Sequence, residues 1–319
     1  MPNKFFIKLN YKSISDLNYC IKNNINKIPK NVDLVVGIPR SGMLAANIIA
    51  LNLNVDFVSI DEFLNNIKIK SSSRIIKKLE KCSDAKKVLI VDDSVNAGNT
   101  IENIKQLLAK STNNLIYCCI YGLKKTYNKV DVCMEQVEEP RLFEWNIFHR
   151  PFLEKCCVDM DGVICKDPTE KQNDDGSEYS NFLFNTPALI KPTFKIGSIV
   201  TSRLEKYREQ TVEWLKKNQI KYDNLYMLDS DAKTRREKML HAPFKAKMYK
   251  KIISSELFIE SDYYQSIEIS KISGKQVLSF GNQKMIYPNV SYNYFKSNIN
   301  FLGHRILNKI KKILNKNDI

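Results

Sequence analysis

Val88-Leu-Ile-Val-Asp-Asp-Ser-Val-Asn-Ala-Gly-Asn-Thr100 is the stretch on which the reading of the fold turns. Its first four residues are an apolar run of strand length, and the paired acids Asp92 and Asp93 follow at its carboxyl end. A loop of small residues comes next. Thr100–Ala109 then carries Ile104, Leu107 and Leu108 at helical spacing, which predicts one apolar helix face. Strand, loop and helix in this order expose backbone N–H groups at the helix start, where they can cradle a phosphate. Successive strand side chains alternate in direction, so one acid can face a sugar diol or a metal while the other braces the loop.

Working outward, Leu34–Val36 reads as a strand, Met43–Leu53 as a helix, Val55–Ile60 as a strand and Leu115–Tyr121 as a strand. Strands alternating with helices predict an α/β chain with a mostly parallel, helix-covered sheet. Val35-Val-Gly-Ile-Pro-Arg-Ser-Gly42 repeats the strand–tight loop–helix arrangement. It forms a second anion nest, to which Arg40 adds a charge suited to a diphosphate.

The Val88–Thr100 segment resembles the phosphoribosyl diphosphate (PRPP) motif of the type I phosphoribosyltransferases, over about residues 30–125. The resemblance implies that Asp92 and Asp93 hold the ribose hydroxyls and that Asn96, Ala97, Gly98, Asn99 and Thr100 hold the 5-phosphate. Asn96 is larger than the residue usual there, and Ala97 stands where many members have Thr. By the same resemblance the loop with Arg40, Ser41 and Gly42 binds the leaving pyrophosphate. The polar segment 65–81 matches the position of the family's flexible loop, with Arg74 as the residue that closes on the diphosphate. PRPP is then the donor and Mg²⁺ the cofactor.

The pattern breaks near residues 136–151, which predicts a domain boundary at about residue 150. A second α/β series follows: strands at Cys156–Val158, ending at Val200, and at Leu225–Leu228, Leu257–Ile259 and Val277–Phe280, with a helix from Leu204 to Lys217. Val158-Asp-Met-Asp-Gly-Val-Ile-Cys165 places two acids two residues apart, with a Gly turn behind them. Both carboxylates can then reach one Mg²⁺, one serving as nucleophile and the other as general acid/base.

This segment resembles motif I of the haloacid dehalogenase (HAD) superfamily of phosphatases, whose other motifs can be read in order. The resemblance implies that Asp159 attacks phosphorus and Asp161 protonates the leaving group. Thr201 binds the phosphoryl group with help from Arg203, and Lys245 is the motif III lysine, with Lys247 as the alternative that spacing cannot separate. Asp159, Asp161, Glu260 and Asp262 hold Mg²⁺. The expected architecture is therefore two Rossmann-like doubly wound domains. Residues 1–150 are of phosphoribosyltransferase type and residues 151–295 HAD-like, with a small cap made by the polar insert at 166–179.

The chain has 319 residues, a net charge of +15 and eight cysteines. Length suggests two domains. The charge is spread along the chain, so it fits phosphorylated ligands or a general compositional bias equally well. No cysteine spacing marks a zinc site, and a reducing cytoplasm fits their use. No apolar run reaches membrane-spanning length and the amino terminus lacks a signal-peptide pattern. Residues 296–319 form a basic amphipathic segment, with Leu302, Ile306, Ile310 and Ile313 on one face. It suits either packing on the second domain or peripheral contact with an anionic membrane.

A phosphatase would remove the phosphate that a phosphoribosyltransferase installs. The pairing makes sense when the wanted product is a plain ribofuranosyl residue, and it resembles the bifunctional proteins that put ribofuranose into bacterial polysaccharides. The expectation is a saccharide acceptor, such as a capsule, O-antigen or lipid-linked glycan. Glu144, Trp145 and His149 are candidate acceptor residues, and a hydrophobic plug between domains is the competing reading of that segment. The alternatives are a nucleobase phosphoribosyltransferase coupled to a nucleotidase, and a PRPP-sensing RNA-binding regulator, which an intact phosphatase motif set disfavours.

Overall fold

Strand β4 (Lys87–Val95) lies at the centre of the first sheet, with Val88, Leu89, Ile90 and Val91 fully buried. This is a computed structural model, and it describes residues 7–76, 78–173 and 175–288. The chain divides into two units, Met1–Ile147 and Phe148–Ile319. The basic segment at 296–319 lies outside the described residues.

The first unit runs β1 (Asn10–Lys12), α1 (Ile14–Asn24), β2 (Leu34–Gly37), α2 (Gly42–Leu53), β3 (Asp56–Ser59), α3 (Ile60–Leu64), β4, α4 (Asn99–Leu107), β5 (Asn114–Gly122), β6 (Val132–Gln136) and β7 (Arg141–Phe143). Five strands pair in the order β3-β2-β4-β5-β6, all parallel, and β1 pairs with β7 in a separate parallel ribbon. Strand alternation explains the covering on both faces. Val88 and Ile90 face a cluster with Ile101 and Ile104 of α4. Leu89 and Val91 face the opposite cluster, with Leu17 and Ile21 of α1 and Ala45 and Ile49 of α2.

Two expectations need correction here. β4 continues past Val91 to Val95, because Asp92, Ser94 and Val95 still pair with Cys119, Tyr121 and Gly122 of β5. The two acids therefore lie within the strand rather than beyond it. Leu107 is 63% exposed, since α4 ends there and Leu108 turns inward in its place.

The second unit runs β8 (Cys156–Val158), α5 (Ser177–Asn185), β9 (Ile196–Leu204), α6 (Arg208–Lys217), β10 (Tyr222–Leu228), α7 (Ala232–Glu237), α8 (His241–Lys251), β11 (Leu257–Glu260), α9 (Tyr263–Ser273), β12 (Val277–Ser279) and β13 (Lys284–Ile286). The sheet order is β10-β9-β8-β11-β12-β13, parallel except for β13. From β8 the chain builds outward first to β9 and β10, then returns to β11 and β12. That reversal makes the carboxyl end of β8 the switch point of the sheet, the place where open α/β sheets bind ligands. β9 extends to Leu204 instead of ending at Val200, and its helix starts at Arg208 after a short 3₁₀ turn. Among the described residues no helix is long and apolar enough to cross a membrane.

Candidate functional site

In the first unit β2 delivers the Pro39–Ser41 loop onto β4. Ile38 N donates to the Val91 carbonyl at 2.9 Å. A Cβ on Gly42 would stand 2.8 Å from Val91 O and 3.1 Å from Asp92 Cα, so only glycine lets α2 start this close to the acids. Ser41 Oγ donates to Asp93 Oδ1 at 2.9 Å. The structure thus brings the two anion loops into direct contact.

Asp93 is 5% exposed and braces the loop, with Trp145 Nε1 donating to its other oxygen at 2.9 Å. Asp92 Oδ1 accepts from Asp93 N at 2.9 Å. Burial, and then the neighbouring Asp93 charge, push the Asp92 carboxyl up to about 8. Two acids side by side with one raised this far fit a bound cation, which would relieve the repulsion.

Downstream of the acids, Gly98 adopts φ +86° and precedes α4 without a side-chain cap, leaving first-turn amides free for a ligand. Asn96, Ala97, Asn99 and Thr100 are exposed around it. Lys129 Nζ donates to Ala97 O at 2.8 Å, with its stem over Gly98. Arg40 and Arg74 are both exposed; the Arg74 carbonyl accepts from Asn54 Nδ2 at 3.0 Å.

Lys129 and Arg141 escaped the sequence reading. Arg141 is buried and donates to Val95 O at 2.8 Å and Tyr121 O at 3.3 Å, fastening the ends of β4 and β5 under the loop. A basic residue opening the apolar Arg141-Leu-Phe143 run was its only signal.

The three acceptor candidates do not form a group. Glu144 Oε2 accepts from Ile14 N at 2.7 Å, at the first turn of α1. Trp145 is committed to Asp93 and to a stack on Phe143. His149 falls in the second unit, where Nδ1 lies 3.1 Å from Thr193 Oγ1.

In the second unit Asp159 leaves the end of β8 and is 4% exposed. Lys245 Nζ bridges it at 2.7 Å to Glu260 at 2.8 Å, with Gln265 Oε1 at 3.1 Å. Lys247 is exposed, on a different side of α8, and of the two lysines it is Lys245 that reaches the carboxylates. Burial and the Glu260 charge push Asp159 upward against the pull of Lys245, and the two carboxylates hold Lys245 protonated.

Asp161 is gripped by Arg203, whose Nη2 lies 2.6 Å and Nε 3.1–3.2 Å from its oxygens. The Arg203 side chain is fully buried. It therefore serves Asp161 rather than an incoming phosphoryl group. Thr201 Oγ1 accepts from Arg203 N at 3.2 Å.

Asp262 is exposed and caps α9 by accepting from Gln265 N at 2.7 Å. Among the described residues no group of three or more His, Cys, Asp or Glu is placed to hold a metal ion. Lys245 stands between Asp159 and Glu260, Arg203 holds Asp161 and Asp262 is a cap. The four acids as arranged do not fit a shared Mg²⁺. Asp167, from the polar insert, is an acid the sequence reading passed over. Burial and the Asp161 charge push its carboxyl upward.

A family model of the phosphoribosyl transferase domain matches residues 8–154. Residues 8–154 thus carry a domain of type I phosphoribosyltransferase kind. Over 77 residues the chain is 29% identical to the hypoxanthine-guanine phosphoribosyltransferase of Aquifex aeolicus (strain VF5), which is 24% of this chain and 43% of that protein. Solved structures similar to it include the xanthine-guanine-hypoxanthine phosphoribosyltransferase of Helicobacter pylori, with 16% identity over 44% of this chain and 93% of that one and a TM-score of 0.33. The purine phosphoribosyltransferase of Pyrococcus horikoshii Ot3 gives 19%, 44%, 94% and 0.33 for the same measures.

Proposed function

We propose that the first unit transfers a 5-phosphoribosyl group from Mg·PRPP to an acceptor, releasing pyrophosphate. The observation that carries this is the contact of Ser41 and Gly42 with the Asp92–Asp93 pair, with the uncapped start of α4 following on the same strand. Asp92 takes the ribose hydroxyls, while Asp93, held by Ser41 and Trp145, fixes the geometry. The amides at 98–100 bind the 5-phosphate, and the 39–42 loop receives the pyrophosphate. The C1–oxygen bond breaks, its electron pair leaves with pyrophosphate, and the acceptor attacks C1 and gives up its proton. Fixed amide and cationic donors stabilise the charge that develops on the leaving group.

The acceptor best supported is a nucleobase of purine type, on the strength of the relative whose name states hypoxanthine and guanine. Purified full-length chain with PRPP, Mg²⁺ and a panel of bases should release pyrophosphate and yield a product heavier than the base by one phosphoribosyl group. No release with any base sinks this acceptor.

A second reading takes the acceptor to be a saccharide. It is favoured by the buried Asp159–Lys245–Glu260 cluster on the same chain, which suits an aspartate nucleophile of the HAD type. Asp159 would displace the alcohol of a 5-phosphoribosyl product, and water would then release phosphate from the aspartyl-phosphate, leaving ribofuranose. With glycan acceptors, Asp159→Asn should accumulate the phosphorylated intermediate in mass spectra. Pyrophosphate release with bases and none with glycans excludes this reading.

A further inference from the structure

Among the described residues of the second unit, three cationic side chains are buried around the carboxyl ends of β8 and β9: Arg203, Lys245 and Arg235. Two of them have acids. Arg203 has Asp161, and Lys245 has Asp159 and Glu260. Arg235, on α7, has none: among the described residues no carboxylate lies within ion-pair distance of it.

Its partners are neutral. One terminal nitrogen donates to the Ser202 carbonyl at 3.1 Å, and the side chain shares a hydrogen bond with the Tyr179 phenol. Among the described residues its Nε is buried with no hydrogen-bond partner. Asp175, whose charge is felt by Arg235, is engaged by Lys206 and Tyr207, each at 2.8 Å.

A guanidinium cannot shed its proton to escape burial, so a site 5% exposed with an unpartnered Nε calls for an anion beside it. Its planar fork matches the oxygens of phosphate. The surroundings agree. Ser202 Oγ lies 2.8 Å from His241 Nδ1, and burial together with the charges of Arg235 and Lys245 pulls His241 down to about 4. Burial is the larger cause, and the two positive charges act in the same direction. Ser202 also follows Thr201 directly on β9.

We propose that Arg235 is an anion-binding residue of the second unit and that its Nε edge takes the oxygens of a phosphate group on that unit's ligand. This does not depend on Asp159 acting as a nucleophile.

His241 is the reporter. Full-length chain carrying ¹³C-labelled histidine is titrated with inorganic phosphate at constant ionic strength, the His241 resonance being assigned by its loss in His241→Asn. The expected result is a saturable shift of His241 in wild type, lost in Arg235→Gln. Arg235→Lys keeps the charge without the fork and should bind at least several-fold more weakly, with its melting temperature checked beside wild type. If Arg235→Gln does not fold, Arg235→Lys decides. No saturable shift in wild type, or the same midpoint in the folded variant, overturns the proposal. Phosphate bound in the first unit leaves this reading untouched, because the reporter lies in the second. Hydrolysis of p-nitrophenyl phosphate, with Asp159→Asn as control, tests the phosphatase reading separately.

Discussion

Trp145 Nε1 donates to Asp93 Oδ2 across 52 residues of chain, at 2.9 Å. The indole lies flat on Phe143, with centroids 4.8 Å apart, and Phe143 lies on Tyr121 of β5 at 5.5 Å. An aromatic stack on the sheet therefore holds one side of the second acid, and Ser41 holds the other. Trp145→Phe keeps the stack and removes the donor. Leaving a buried carboxylate oxygen short of a partner should cost about 1–2 kcal/mol. Thermal melting should show that loss, and PRPP binding by calorimetry should weaken roughly tenfold. Unchanged PRPP affinity would show that the bond does not set the acid.

Asp92 makes stability depend on pH. Its folded value is raised from 3.8 to about 8, so across that window the folded state keeps a proton that the unfolded chain releases. This contribution is full below about pH 4 and is lost as pH rises through 8. Asp92→Asn should flatten urea-derived stability between about pH 5 and pH 9 by roughly 1–3 kcal/mol relative to wild type. A variant with the wild-type slope would place the titration elsewhere.

The two lysines of α8 should behave very differently. Lys245→Met leaves Asp159 and Glu260 facing each other in a dry site, a loss of about 3–5 kcal/mol. Lys247→Ala, on the exposed face, should change stability by less than about 0.5 kcal/mol. Chemical denaturation of both variants distinguishes them, and equal effects would contradict the geometry.

Cys119 and Cys133 are direct neighbours on β5 and β6 and share a hydrogen bond. That bond pulls Cys133 down to about 7 and pushes Cys119 up. Iodoacetamide should label Cys133 with a midpoint near pH 7, ahead of the other seven cysteines in peptide mass maps. Cys119→Ser should move that midpoint upward, and first labelling elsewhere would refute the pairing.

Much of this was legible in the residues. The Val88–Val91 run, the acids after it and the small-residue loop mark a strand, a ligand edge and a helix start, because period and turn chemistry are local properties. Asp159 could be found for the same reason. The limits are equally local in origin. Asp92 and Asp93 look alike in a sequence, and only the approach of Ser41 and Trp145 makes one the brace. Arg203 looked like a phosphate binder because nothing in its neighbours along the chain shows Asp161 across the sheet. Glu144 and His149 stood close in sequence, yet the chain turns one to α1 and places the other in the second unit.

The amino-acid sequence by itself determined the α/β class, the small-residue loop before α4 and the acid pairs, since alternation, glycine placement and charge need no distant partner to be read. Only the tertiary structure decided which acid braces the loop, which lysine is buried and which buried arginine of the second unit has no acid among the described residues. Those depend on burial and on contacts between strands dozens of residues apart, and the free energy of a buried charge is set by what lies opposite it.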